Sequence, residues 1–211
     1  MAIAYEQLAR AGGLAGLDIA GDFFMDHGAV KRTMRKIAGR LGELNIPYAV
    51  VGGMALVMHG QERTTVDVDI LVTPDGLRAA HESLEGLGYV APFAGSKNLR
   101  DTETGVRIEF LVSGNFPGDG KPKPVAFPDP AQVVTVIDGI NVVQLSRFVE
   151  LKLASGLTGG AARLKDFADV VALIDVLKLP EAFADSLNEY VRPKFIELWK
   201  DLATNSASDE H

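Results

Sequence analysis

Two aspartates stand two residues apart at Asp67-Val68-Asp69, inside the otherwise apolar run Val66–Val72. On an extended strand, residues i and i+2 point to the same face. Two carboxylates held side by side repel each other and lose hydration unless a cation sits between them. Hard cations prefer carboxylate oxygen, and a two-metal site of this kind stabilises the attacking and leaving oxygens of an in-line displacement. The same alternation is also the ordinary pattern of a half-buried strand whose acids face water, so on these residues alone both readings stand. Upstream, Gly52-Gly53 separates the apolar stretches Tyr48–Val51 and Met54–Met58. A glycine pair between a strand and a helix lets phosphate oxygens approach backbone N–H groups; it also makes a tight turn with no ligand. It is neither a P-loop, because no Gly-Lys-Ser/Thr follows, nor a dinucleotide fingerprint, because the third glycine is missing. Downstream, Glu109 is flanked by Ile108 and Phe110, which face the opposite way on a strand. It can complete a metal site, act as a general base on an attacking hydroxyl, or simply face solvent.

These residues need elements to position them. Val30, Met34, Ile37, Leu41 and Leu44 recur at steps of three and four and predict an amphipathic helix over Ala29–Leu44. Lys31, Arg32, Arg35, Lys36 and Arg40 occupy its other faces, either as a solvated surface or as a nucleic-acid contact. Strands are expected at Tyr48–Val51, Val66–Val72 and Val106–Val112, and helices at Met54–Met58 and from Pro74 to about Leu87. Gly114–Pro130 reads as a surface loop. Asp138-Gly139 joins two apolar runs, Val133–Ile137 and Ile140–Leu145, as a hairpin. Ser146 would cap a helix through about Ala154, and two further amphipathic helices follow, over Leu164–Leu177 and Val191–Leu202. A short helix near Tyr5–Ala11 and a frayed tail over Thr204–His211 complete the reading. The chain is thus an α/β (α+β) core over residues 1–145 with a helical region over 146–211.

Gly52-Gly53, Ala55, His59-Gly60, Arg63, Thr65 and Asp67-Val68-Asp69, with the later strand acid Glu109, resemble the polymerase-beta-like nucleotidyltransferase superfamily over roughly residues 46–112. The run His-Gly-x-x-Arg-x-Thr-x-Asp-x-Asp is most similar to the AbiEii-like bacterial group, which includes toxins of toxin–antitoxin systems. Glu150-Leu-Lys152-Leu and Arg163-Leu-Lys165-Asp166-Phe-Ala-Asp169 are similar to the helical motifs of that group. The third acid is Glu109 where many members carry Asp.

The resemblance implies a nucleotidyltransferase fold, with a short mixed sheet flanked by helices and a helical region behind it. It implies Mg²⁺ in a two-metal site on Asp67, Asp69 and Glu109, and nucleotide contacts from Gly52, Gly53, Arg63, Thr65, Lys152 and Asp166. The reaction would carry a nucleotidyl group from an NTP to a hydroxyl of RNA, tRNA or protein, with a cognate antitoxin as partner. Two other readings stand beside it: a catalytically weak NTP-binding module acting through a partner protein, against which the retention of Asp67, Asp69 and Glu109 argues, and a metal-dependent phosphohydrolase using the same acids on water. Several residues carry a plainer reading beside the functional one. His59 reads as a helix C-terminal residue holding the Gln61–Thr65 loop. Lys152 reads as snorkelling to solvent unless it is aimed into a cleft. Asp166 and Asp169 read as surface ion pairs with Arg163 and Lys165.

Composition narrows the field further. The 211 residues contain no cysteine, which excludes a thiol nucleophile, a disulfide scaffold and a Cys-based metal centre. With 28 acids against 21 bases the net charge is −7, which argues against broad nonspecific nucleic-acid binding. An RNA acceptor would then use a local basic surface, for which Lys121 and Lys123 are also candidates. No run reaches the ~18–20 apolar residues of a membrane span, and the first ten residues lack a signal peptide's apolar core. Cytoplasmic residence is the expectation. Trp199 marks the last helix as either core or interface.

Overall fold

The computed structural model describes residues 28–208; the Tyr5–Ala11 helix expected above lies outside them. Helix α1 (Ala29–Glu43) buries Val30, Met34, Ile37 and Leu41 as its periodicity requires. Chain order then runs β1 (Tyr48–Val51), α2 (Gly52–Met58), β2 (Asp67–Val72), α3 (Pro74–Leu84), β3 (Tyr89–Val90), β4 (Leu99–Asp101) and β5 (Arg107–Val112). It continues with β6 (Val134–Ile137), β7 (Ile140–Val143), α4 (Leu145–Thr158), α5 (Leu164–Leu177) and α6 (Arg192–Ser208). Seven strands form one mixed sheet in the order β3-β4-β5-β2-β1-β7-β6. β2 runs antiparallel to β1 and parallel to β5, and this central trio carries the acids. Helices α1 and α3 pack on β2, and α5 packs between α4 and α6.

The burial of β2 explains why its acids are usable. Ile70, Leu71 and Val72 are all buried, as expected of a central strand covered on both faces. At the other end of the strand only Val68 is buried, while Asp67 and Asp69 are half-exposed on the opposite face. One end of β2 is therefore core and the other opens on one side. The parallel register sets Asp67 beside Arg107 and Asp69 beside Glu109.

Several expectations need correction. β3 and β4 were not anticipated, because strands of two and three residues carry too few positions to show alternation. α4 starts at Leu145, not at a Ser146 cap, and has no side-chain cap. It also runs past Ala154 to Thr158, because the stretch Phe148–Gly156 is buried almost throughout and packing sustains it. Glycine is needed at position 156, since a Cβ there would come within 2.5 Å of the Phe167 ring. The tail does not fray at Thr204: α6 continues to Ser208, and its one proline, Pro193, falls in the first turn, where it is tolerated.

The segment 114–130 is not simply a surface loop, since Pro117, Val125 and Pro130 are buried in it. The Lys123 side chain is nearly inaccessible as well, and its Nζ donates to Pro117 O and Asp119 Oδ1 at 2.6 Å and to Thr158 Oγ1 at 2.8 Å. It staples the loop to α4 and is withdrawn from any acceptor surface. On α1, Lys36 pairs with Asp101 and Glu103, and Arg40 with Glu43. These two bases are thus engaged within the chain. Trp199 packs on the core and donates Nε1–H to Leu179 O at 2.8 Å. Among the described residues no helix is long and apolar enough to cross a membrane.

Candidate active site

The open end of β2 forms the floor of a cleft of about 580 Å³. The strand–turn–helix at Gly52 supplies one wall, β5 a second, and α4 with the start of α5 a third. Gly52 sits at φ +61°, a left-handed conformation that L side chains rarely adopt. A Cβ at this position would also overlap the Asp69 carboxylate, and one on Gly53 would stand 2.7 Å from Thr65 Oγ1. The glycine pair thus leaves space that the Asp69 and Thr65 side chains fill. Gly52→Ala is expected to combine left-handed strain with displacement of Asp69, costing ~2–4 kcal/mol, which thermal or denaturant unfolding would measure.

Asp67, Asp69 and Glu109 converge as the register requires. One ligand oxygen from each lies within 4.8 Å of the other two. Thr65 Oγ1 donates to Asp67 Oδ1 at 3.2 Å. Burial, followed by repulsion from Asp67 and Glu109, pushes the Asp69 carboxyl up to about 7. A base is built into the cluster as well: Arg107 Nη2 lies 3.1 Å from Asp67 Oδ2 and 2.9 Å from Glu109 Oε2. Lys97 stands further off, 3.9 Å from Glu109 Oε1.

A second cluster faces the first across the cleft. Lys152 does not snorkel out: its side chain is 15% exposed, and Nζ donates to Asp166 Oδ1 at 2.8 Å and Asp169 Oδ2 at 2.7 Å. Ser155 Oγ donates to Asp166 Oδ2 at 2.7 Å. Arg63 pairs with Asp169 Oδ1, joining the loop before β2 to α5. Asp166 and Asp169 are therefore buried members of an interhelical ion cluster, not surface pairs with Arg163 and Lys165. Arg163 approaches Asp166 only to 4.0 Å. Burial holds the Lys152 ammonium below its ordinary value, with Asp166 opposing that shift.

Every residue singled out for nucleotide or metal contact lines this cleft: Gly52, Gly53, Arg63, Thr65, Asp67, Asp69, Glu109, Lys152 and Asp166. Asp166 reaches it through its bond to Lys152 rather than as an open carboxylate. His59 is not among the lining residues. Its Nε2 meets Val143 O at 2.8 Å, so it holds β7 rather than the Gln61–Thr65 loop, and burial lowers its pKa. Sequence reasoning missed Arg107 and Ser155. The signal for Arg107 was present, since it shares the face of Glu109 two residues on and falls under the same i, i+2 rule. Ser155 had no comparable signal, because its partner lies on another helix.

Among solved structures the chain is similar to an antigenic nucleotidyltransferase-like protein from Paracoccidioides brasiliensis. The two are 20% identical, with 82% of this chain and 92% of that one covered and a TM-score of 0.50. It is also similar to JHP933 from Helicobacter pylori, at 17% identity, 86% and 95% coverage and a TM-score of 0.38. A further similar structure is ANT(2'')-Ia in complex with adenylyl-2''-tobramycin, at 14% identity, 83% and 97% coverage and a TM-score of 0.40. No family model matches the chain, and no curated protein matches it in sequence. The mixed seven-stranded sheet flanked by helices, together with the first of these likenesses, shows that the chain has a nucleotidyltransferase fold.

Proposed function

We propose that this chain transfers a nucleotidyl group from an NTP to an acceptor hydroxyl, in a cleft between an α/β core (1–145) and a helical region (146–211). The observation that carries this reading is the convergence of Asp67, Asp69 and Glu109 on the floor of a cleft whose other walls present Arg63 and Lys152. The donor set suits Mg²⁺: three carboxylates and no sulfur or imidazole, with burial first and repulsion from Asp67 and Glu109 second raising the Asp69 pKa to about 7. Asp67, Asp69 and Glu109 would hold the metal, which when bound offsets phosphate charge and favours in-line displacement.

The chain's own groups account for the rest. The glycine pair makes room for Asp69 and Thr65 to stand at the cleft floor. Arg63 and Lys152 set positive charge against the triphosphate, and the buried Asp166 and Asp169 orient those two cations. Glu109, on the same cleft floor, is also the carboxylate placed to take the proton of the attacking hydroxyl. Positioning and charge neutralisation carry the rate, because phosphoryl chemistry asks little covalent work of the protein.

RNA, tRNA and protein hydroxyls are the acceptor classes in view. The resemblance to AbiEii-like proteins favours a cytoplasmic toxin–antitoxin setting with a cognate antitoxin. The test is incubation with each α-labelled NTP, Mg²⁺ and a lysate separated into RNA and protein fractions. Label entering one fraction supports transfer and identifies the acceptor class. Free labelled NMP with neither fraction labelled would instead assign a phosphohydrolase.

A further inference from the structure

The carboxylate cluster already contains a cation of its own. Arg107 lies at the start of β5, opposite Asp67 in the parallel register and two residues before Glu109 on the same face. A single nitrogen, Nη2, bridges Asp67 Oδ2 and Glu109 Oε2 at 3.1 and 2.9 Å. Those are two of the three carboxylates whose oxygens draw together within 4.8 Å. A divalent ion on the same oxygens would meet the guanidinium at close range, and two cations cannot share one small set of acceptors without strong repulsion. The Arg107 side chain is 36% exposed and lines the cleft, so it has open space into which to withdraw.

We propose that Arg107 is the resident counter-cation of this site. It holds Asp67 and Glu109 when no divalent ion is bound, and it competes with that ion for the same oxygens. Arginine suits the role because its guanidinium stays charged at all working pH values and reaches two carboxylates at once. Once displaced, it stands in the cleft where polyphosphate oxygens would lie, so metal and nucleotide would each favour release of the same side chain. Arg107 is in this sense a positioning residue that sets how readily the metal enters. The proposal rests on the reading of Asp67, Asp69 and Glu109 as metal ligands.

The test is a calorimetric titration of the full-length protein with Mn²⁺ alone, at fixed ionic strength and pH 8, comparing wild type with Arg107→Gln and Arg107→Lys. A competing counter-cation predicts that Arg107→Gln binds Mn²⁺ ~10-fold tighter than wild type. Arg107→Lys should fall between the two, because its ammonium reaches less far and cannot bridge both carboxylates equally. It also serves as the informative variant if Arg107→Gln does not fold. A merely structural pair predicts the reverse, with metal binding unchanged or weakened as the cluster loosens, and that result overturns the proposal. The two readings fail separately. Mn²⁺ binding that is equal in wild type and variants sinks the role of Arg107 alone, whereas no Mn²⁺ binding by any of the three proteins sinks the metal site with it.

Discussion

Replacing Asp69 with Asn is expected to abolish nucleotidyl transfer while making the metal-free protein more stable above pH 7. The two effects share one cause. Asp69 lies beside Asp67 and Glu109, and burial first, then these neighbours, raise its pKa to about 7. Its unfolded value is the ordinary carboxylate value near 4. Between those two pH values the folded state binds the proton and the unfolded state does not, so stability falls as pH rises through that window. The loss is complete once pH exceeds the folded value. A shift of this size caps the penalty at ~4 kcal/mol, and relaxation of the half-exposed cluster brings the expected gain for Asp69→Asn to ~1–2 kcal/mol at pH 8. At pH 4 the gain should vanish. Activity should fall by ~10³-fold or more, since an amide cannot supply the charge that a divalent ion and a developing phosphate transition state require. Denaturant titrations at pH 4 and pH 8, run beside the transfer assay, test both halves.

Replacing Lys152 with Met should have the largest effect on folding itself. Its ammonium is shared between Asp166 and Asp169, both nearly inaccessible to solvent. Removing it leaves Asp166 with the Ser155 hydroxyl and the distant Arg163, and Asp169 with Arg63. Breaking a buried pair by deleting one partner costs ~3–5 kcal/mol, because the remaining charge stays desolvated. Lys152→Met, Asp166→Asn should be more stable than Lys152→Met alone, since the double variant removes one stranded charge. A double-mutant cycle by chemical denaturation reads this coupling directly. Loss of activity in Lys152→Met alone would not separate a nucleotide contact from a collapsed ion cluster, which makes the cycle the necessary control.

Much of the site could be read in the sequence because its parts are local. Asp67 and Asp69 share a face by alternation, Gly52-Gly53 marks the strand-to-helix turn, and Glu109 announces its face through Ile108 and Phe110. What escaped was set by contacts between distant elements. The partners of Lys152 lie 14 and 17 residues on, across an interhelical crossing that no periodicity reveals. The extent of α4 depends on burial against α5, not on its cap. The bond from His59 to Val143 spans 84 residues. β3 and β4 are recognisable only through their pairing with each other and with β5.

The central claim is that three strand carboxylates facing two oriented cations form a centre for nucleotidyl transfer. It is tested most directly by product analysis of an α-labelled NTP incubated with the purified protein, Mg²⁺ and the labelled acceptor fraction, for wild type and Asp69→Asn side by side. The prediction is one pyrophosphate released per label incorporated by wild type, with neither product from the variant or in the presence of a chelator. Release of free NMP without incorporation, or undiminished incorporation by Asp69→Asn, would contradict it.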